Sequence, residues 1–487
     1  MRKLSQLSPA DHTPLMRVLF GHSPPSPPHA SLPAEEFDFL TPGLNESQKE
    51  AVRFALAAPE VALIHGPPGT GKTQTLIELI RQFLRLSLRV LVCGPSNISV
   101  DNIVSRLPPT TPMVRLGHPA RLLPAVLAHS LDVLTTTSPA AAIVRDVRRE
   151  LDEQQARVRK TRSGKERRAV YAEMRELRKE YRVRERRCVG ELVRTSRVVL
   201  GTLHGVGGWQ LGREVFDVVV VDEASMALES QCWVALLGAK KVVLAGDHLQ
   251  LPPTVKSANV KGTAKGTALS REQAGLERTL FDRLLEMYGD DVKRMLTVQY
   301  RMNEEIMRFP SEELYGGKLV AHEAVRGRLL SDMEGVAGGE DTDVPVVLWD
   351  TQGGEFPEGT EDEEIGKRGV MVGESKSNEM EALVVAMHVR KLVKAGVKPD
   401  DMAVLTPYNA QLALLSRELR EEFPGIELGS VDGFQGREKE AVIVSLVRSN
   451  AEGEVGFLGE KRRLNGEISS LENLACLSLP DFLCDIC

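Results

Sequence analysis

The chain has 487 residues, of which 42% are hydrophobic and 27% charged, the make-up of a globular protein long enough for two or three domains. No apolar run reaches the ~20 residues that span a bilayer, and no signal-peptide core opens the chain, so the expectation is no membrane contact and a place in the cytoplasm or nucleus. The net charge of −6 confines any nucleic-acid binding to local basic patches, and Cys484-x-x-Cys487 lacks the second pair that a zinc site needs.

In chain order, residues 1–42 are Pro- and Ser-rich around Ser23–Pro28 and predict a poorly ordered leading segment. Helical spacing follows over Gln48–Ala58, then a short apolar strand at Val61–His65, a helix at Ile77–Leu86 and a strand at Arg89–Cys93. This β-loop-α-β order opens a parallel sheet with crossover helices. Val198–Gly201, Val215–Val221 and Lys241–Ala245 read as further buried strands, rich in β-branched residues. Between Arg145 and Arg194, eighteen basic side chains face ten acidic ones, a net charge of +8. The sparse apolar residues there (Val158, Val170, Met174, Leu177, Tyr181) suit a two-helix hairpin turning near Ser163–Gly164. Two readings of it stand side by side, a solvated stalk and a basic arm on a nucleic-acid backbone. A second α/β unit starts near Met295, with strands at Val344–Trp349, Met402–Thr406, Leu428–Ser430 and Ala441–Ser445. Its helices run over Asn378–Ala395 and Ala410–Glu422, and residues 335–373 loop out around one strand.

Chemistry concentrates at a few points. Gly66-Pro67-Pro68-Gly69-Thr70-Gly71-Lys72-Thr73 lies between a predicted strand and a predicted helix, the setting of a phosphate-binding P-loop. Its glycines let backbone amides approach phosphate oxygens, Lys72 reaches the β- and γ-phosphates, and the Thr73 hydroxyl suits Mg²⁺. Asp222 and Glu223 end an apolar strand, where α/β sheets hold ligands. Asp222 suits Mg²⁺, and Glu223 suits orientation and deprotonation of water. In Gly246–Pro253, Gln250 is a candidate sensor of the γ-phosphate. In Gln299–Met302, Tyr300 offers a stacking face and Arg301 a planar cation for that phosphate.

Taken with Gln48, Gly94–Asn97, Thr406–Asn409 and Val431–Glu438, this ordered series resembles the superfamily 1 helicases of the Upf1-like branch, and within it the immunoglobulin-mu-binding-protein (DNA helicase A) type. The resemblance covers roughly residues 15–465. It implies an α/β fold of two RecA-like domains, over 43–290 and 291–465, which act on one ATP with Mg²⁺ (held by Thr73 and Asp222) and carry single-stranded RNA or DNA. By motif match Lys72, Asp222, Glu223, Gln250 and Arg301 are catalytic. Gln48 reads the adenine and Tyr300 stacks on it. Gln74 extends the P-loop contacts, and Gly436 and Glu438 approach the nucleotide. Pro95, Ser96, Asn97, Gly201, Thr202, Pro407, Tyr408 and Asn409 line the strand path. The branch moves 5′ to 3′, a monomer is expected, and the basic hairpin matches the helical insertion of the first domain.

Two departures accompany the match. The family carries a β-barrel on a helical stalk ahead of the position of Gln48, where this chain has about forty residues. After Asn465 the family continues into a Thr-Arg-Ala-Arg-Arg type segment that supplies a second arginine, where this chain reads Gly466-Glu467-Ile468-Ser469-Ser470. The expectation is an incomplete second domain and an atypical tail over 466–487, from a translated intron or a truncated gene model. The alternative to a helicase is therefore a fragment that binds ATP and nucleic acid without cycling. A related branch member, such as a nuclease-helicase or a senataxin-like protein, is disfavoured, since neither a nuclease carboxylate cluster nor an Fe–S cysteine set is visible.

Overall fold

A computed structural model describes residues 4, 6–29, 37–160, 163–212, 214–253, 278–351, 354–360, 375–430, 434, 438–450 and 465, and the strand 471–479. It divides into two units, one of residues 1–65, 72–247 and 252–295, the other of 66–71, 248–251 and 296–487.

The first unit is built on a seven-stranded parallel sheet. Its strands are β1 (Val61–His65), β2 (Val90–Gly94), β3 (Met113–Leu116), β4 (Val198–Thr202), β5 (Phe216–Val221), β6 (Ala239–Gly246) and β7 (Lys293–Met295), in the order β3-β4-β2-β5-β6-β1-β7. β1 and β2 are buried along their whole length, which is why both read as continuous apolar runs and not as alternating ones. Sequence periodicity passed over β3, whose Arg115 breaks the apolar pattern although its side chain is fully buried. Helices on the sheet include α1 (Pro14–Leu19), α2 (Glu46–Ala57), α3 (Lys72–Arg85) and α4 (Asn97–Arg106).

Part of the leading segment departs from the expectation of poor order. α1 starts on Pro14, with the Thr13 hydroxyl accepting the Met16 amide at 3.2 Å. Leu15, Met16, Val18 and Leu19 enter the main core beside Leu280, Phe281 and Leu284. Arg283 donates to the Leu19 carbonyl and the Tyr288 hydroxyl to that of Val18, both at 2.7 Å. Proline and serine density hid a single apolar turn that the core needs.

The basic hairpin forms as α5 (Ala142–Lys160) and α6 (Gly164–Thr195). A thin seam of Val158, Val170 and Met174 joins the helices at the tip, and Ala141, Val144 and Cys188 join them at the base.

In the second unit the larger sheet has five parallel strands, β8 (Val346–Asp350), β9 (Met402–Thr406), β10 (Glu427–Ser430), β11 (Lys439–Ser445) and β12 (Leu471–Leu479), ordered β8-β12-β11-β9-β10. Helices α7 (Glu379–Lys394) and α8 (Asn409–Leu419) supply Val385, Val389, Leu392, Leu415 and Leu419 to its core. β12 corrects the reading of the tail as foreign to the domain. It pairs β8 from Val346↔Ala475 to Asp350↔Leu479, and β11 from Lys439↔Leu471 to Ser445↔Ser478. The segment Leu471-Glu-Asn-Leu-Ala-Cys-Leu-Ser-Leu479 is mostly apolar, as an interior strand requires. Among the described residues no helix is long and apolar enough to cross a membrane.

Candidate nucleotide site and strand path

Strand register brings the chemistry of the first unit to one edge. His65 at the end of β1 stands opposite Gly246 at the end of β6. Val221 at the end of β5 pairs with Leu244 on one side and Cys93 on the other. Parallel strands share a direction, so the turns after them all open at the carboxyl edge, where such sheets hold ligands.

Lys72 begins α3, and its Nζ lies 2.6 Å from Glu223 Oε1 and 3.8 Å from Asp222 Oδ1. Burial opposes the lysine's charge, but the carboxylates of Glu223 and Asp222 outweigh it and hold Lys72 above the ordinary lysine range. Asp222 is nearly inaccessible, and burial pushes its carboxyl up to about 6 against the pull of Lys72. Glu223 adopts φ 51°, ψ 41°, a left-handed conformation that costs a residue with a Cβ roughly 1–2 kcal/mol. Its amide donates to Asp222 Oδ1 at 2.9 Å, so the turn that strains Glu223 also locks the two carboxylates together. Strain of this kind concentrates where side-chain placement matters more than backbone comfort.

The neighbouring turn is tied to this one. The Asp247 amide donates to Ser225 Oγ at 3.1 Å, and a Cβ on Gly246 would come 2.9 Å from the Ser225 nitrogen. Only glycine permits that approach. Asp247 also meets His65, Oδ1 to Nε2, at 2.9 Å, with both side chains almost fully buried. Sequence motifs alone assign no role to His65 or Asp247. A histidine closing an apolar strand and an aspartate in the Gly246–Pro253 motif were the available signals.

Within the second unit, the P-loop residues Gly66–Gly71 lie beside the Gln299–Met302 turn. Gly69 and Gly71 take φ of +68° and +73°, and the Thr70 hydroxyl donates to the Pro67 carbonyl at 2.7 Å. The Tyr300 amide donates to the Gly69 carbonyl at 2.9 Å, and a Cβ on Gly69 would stand 2.6 Å from that of Arg301. Gln299, the first residue of the Gln299–Met302 motif, organises this turn. Its Oε1 accepts the amides of Arg301 (2.8 Å) and Met302 (2.7 Å), and its Nε2 donates to the Met302 carbonyl at 2.7 Å. Tyr300 is partly exposed, with one face against His322 at 4.6 Å between ring centroids. Arg301 and Glu438 form an ion pair with each other.

The other predicted nucleotide residues are spread more widely. Gln48 is buried and reciprocally caps α2, with Asn45 N donating to Gln48 Oε1 and Gln48 N to Asn45 Oδ1, both at 3.0 Å. Thr73 is half-buried in the first turn of α3, Gln74 is exposed, and Gln250 is half-buried. Asn465, where the familial pattern stops, donates to the Leu249 carbonyl (3.0 Å) and the Tyr315 hydroxyl (2.8 Å). Gly436 lies outside the described residues.

Two family models, each described as an AAA domain, match residues 43–258 and 276–470. The chain is 48% identical over 443 residues to the DNA polymerase alpha-associated DNA helicase A of Schizosaccharomyces pombe, covering 91% of this chain and 64% of that one. It is 42% identical over 490 residues to the Saccharomyces cerevisiae protein of the same name, covering 96% and 69%. Against the DNA-binding protein SMUBP-2 of Rattus norvegicus the identity is 47% over 456 residues, covering 93% and 44%. The chain belongs to the DNA helicase A family, in the Upf1-like branch of superfamily 1. It spans 64% and 44% of the length of the fission-yeast and rat relatives.

The residues that the resemblance assigns to a strand path fall in two groups. In the first unit Gly94 pairs with Thr202 in register, so Pro95, Ser96 and Asn97 emerge beside Gly201 and Thr202. Ser96 caps α4, accepting the Ser99 amide at 3.1 Å. Beneath them lies Arg115. Its Nε donates to Asp101 Oδ1 at 2.7 Å and its Nη2 to Asn97 Oδ1 at 3.0 Å. A guanidinium only donates, so Asn97 turns its carbonyl oxygen toward Arg115. Arg115→Met is expected to lower stability by about 3–5 kcal/mol, because Asp101 is left charged and buried. Adding Asp101→Leu should recover much of the loss, and urea unfolding of the single and double variants checks both.

The second group differs in exposure from member to member. Pro407 is half-buried and Asn409 exposed, but Tyr408 is only 4% exposed. Its ring turns inward beside Arg448, which is paired with Glu358 at 2.9 Å. The aromatic side chain is thus used for packing.

Proposed function

We propose that this chain is the motor of an ATP-dependent helicase or translocase that moves 5′ to 3′ along single-stranded RNA or DNA. The observation that carries the reading is Lys72, half-buried at the start of α3 and paired with Glu223 and Asp222. A lysine paired with two strand-end carboxylates has the composition of a phosphate-and-magnesium site, and the positive-φ glycines of the preceding loop suit backbone amides to phosphate oxygens. Thr73 and Asp222 are the residues that would hold Mg²⁺, which when bound offsets phosphate charge as the terminal bond breaks. Lys72 exchanges Glu223 for phosphate, which frees the Glu223 carboxylate to take a proton from the attacking water. Arg301, beside Gly69, exchanges Glu438 for the γ-phosphate. Pro95–Asn97, Gly201 and Thr202, with Pro407 and Asn409, follow the strand by its phosphates, which carry no sequence information.

The test is steady-state ATP hydrolysis by the purified chain with and without poly(U) or a thymidine oligonucleotide. Strand-stimulated turnover is expected. Retained ATP binding with no stimulated turnover would leave a nucleotide- and nucleic-acid-binding fragment and overturn the motor reading for this polypeptide.

A further inference from the structure

Of the three tryptophans in the chain, Trp233 is buried and Trp349 half-buried, whereas Trp209 is 61% exposed. It opens a short turn, Trp209–Leu211, in the loop that follows β4. That loop is anchored from below. Leu203 and Val206 are buried, Leu211 packs on the main core, and the Gly205 amide donates to Thr202 Oγ1 at 3.1 Å. The indole is therefore presented by a fixed support. On one side stands α6 of the basic hairpin, whose Arg186 guanidinium lies 5.9 Å from the ring centroid. Arg182, Arg186 and Arg187 are exposed, and among the described residues Arg186 has no carboxylate partner. The loop itself begins at Thr202, the residue paired with Gly94 at the head of the strand path.

We propose that Trp209 and Arg186 form a stacking platform for a base of single-stranded nucleic acid, an additional contact that brings the basic hairpin onto the strand. The assignment rests on the nucleic-acid reading above and extends it to residues outside the family motifs. An exposed indole gains from covering its face, every nucleobase has a π-face to cover it, and an adjacent cation neutralises the phosphate that arrives with the base. This combination favours a nucleic acid over a protein partner. An apolar protein surface has no use for the unneutralised arginines, and an acidic one has no use for the indole.

Binding of a thymidine homopolymer to the full chain, followed by tryptophan emission and by anisotropy of a labelled strand, tests the platform. Stacking on the one exposed indole should quench emission, and Trp209→Ala should abolish most of that quench. The same variant should bind the homopolymer about 5- to 100-fold more weakly, yet bind an abasic strand of equal length as the unaltered chain does. Trp209→Phe should restore most of the affinity without the quench. Arg186→Gln should instead flatten the dependence of log K on log salt by about 0.7, whereas Trp209→Ala leaves that slope unchanged. Equal homopolymer affinity of Trp209→Ala and the unaltered chain would overturn the proposal, and so would an equal loss on the abasic strand. The first result would return the surface to a protein partner. If the unaltered chain binds no strand at all, the nucleic-acid reading fails and the platform with it.

Discussion

Glu223→Gln is expected to bind ATP with near-normal affinity and to hydrolyse it about 10²- to 10⁴-fold more slowly, the usual contribution of a positioned general base. The two side chains have the same shape, and glutamine keeps an oxygen to accept from Lys72, whose Nζ is 2.6 Å from Glu223 Oε1. The left-handed backbone at position 223 is equally strained with either residue, so folding should be little changed. What glutamine lacks is a site for the proton of the attacking water. Phosphate release in the presence of single-stranded nucleic acid, measured beside the binding of a fluorescent ATP analogue, separates the two quantities. Hydrolysis at the normal rate would assign the base elsewhere.

Lys72→Ala should lose nucleotide binding itself. ATP at a hundredfold excess over its Kd stabilises a folded protein by about 2.7 kcal/mol, so the unaltered chain should show a clear rise in Tm with Mg-ATP. The variant should show almost none. Its ligand-free Tm falls as well, because Asp222 and Glu223 lose the cation that offsets their mutual repulsion, and each protein must be compared with its own ligand-free value. A normal ATP-induced shift in Lys72→Ala would exclude Lys72 from the phosphate contacts.

How far the sequence alone reached depended on the kind of pattern. β1, β5 and β6 were legible because a strand buried on both faces has to be apolar throughout. The hairpin was legible because eighteen basic residues with little Gly or Pro leave few structures other than solvated helices. β3 was not, since Arg115 looks like a surface residue until Asp101 and Asn97 are folded around it. α1 escaped for the opposite reason, its four apolar residues lying between Pro- and Ser-rich stretches. β12 escaped because membership of a sheet is conferred by neighbouring strands, here Val346–Asp350 and Lys439–Ser445, and not by the segment itself.

The candidate nucleotide site divides in the same way. Residue types and spacing by themselves determined the P-loop, the Asp222–Glu223 pair and the Gln299–Met302 turn, because phosphate, magnesium and a tight turn each accept few side chains. Only the tertiary structure decided that Lys72 pairs with Glu223, that Arg301 pairs with Glu438, that Tyr408 turns inward and that Trp209 stands outward beside Arg186. Those outcomes depend on strand register and on distances between residues far apart in the chain, and a linear pattern carries no information about either.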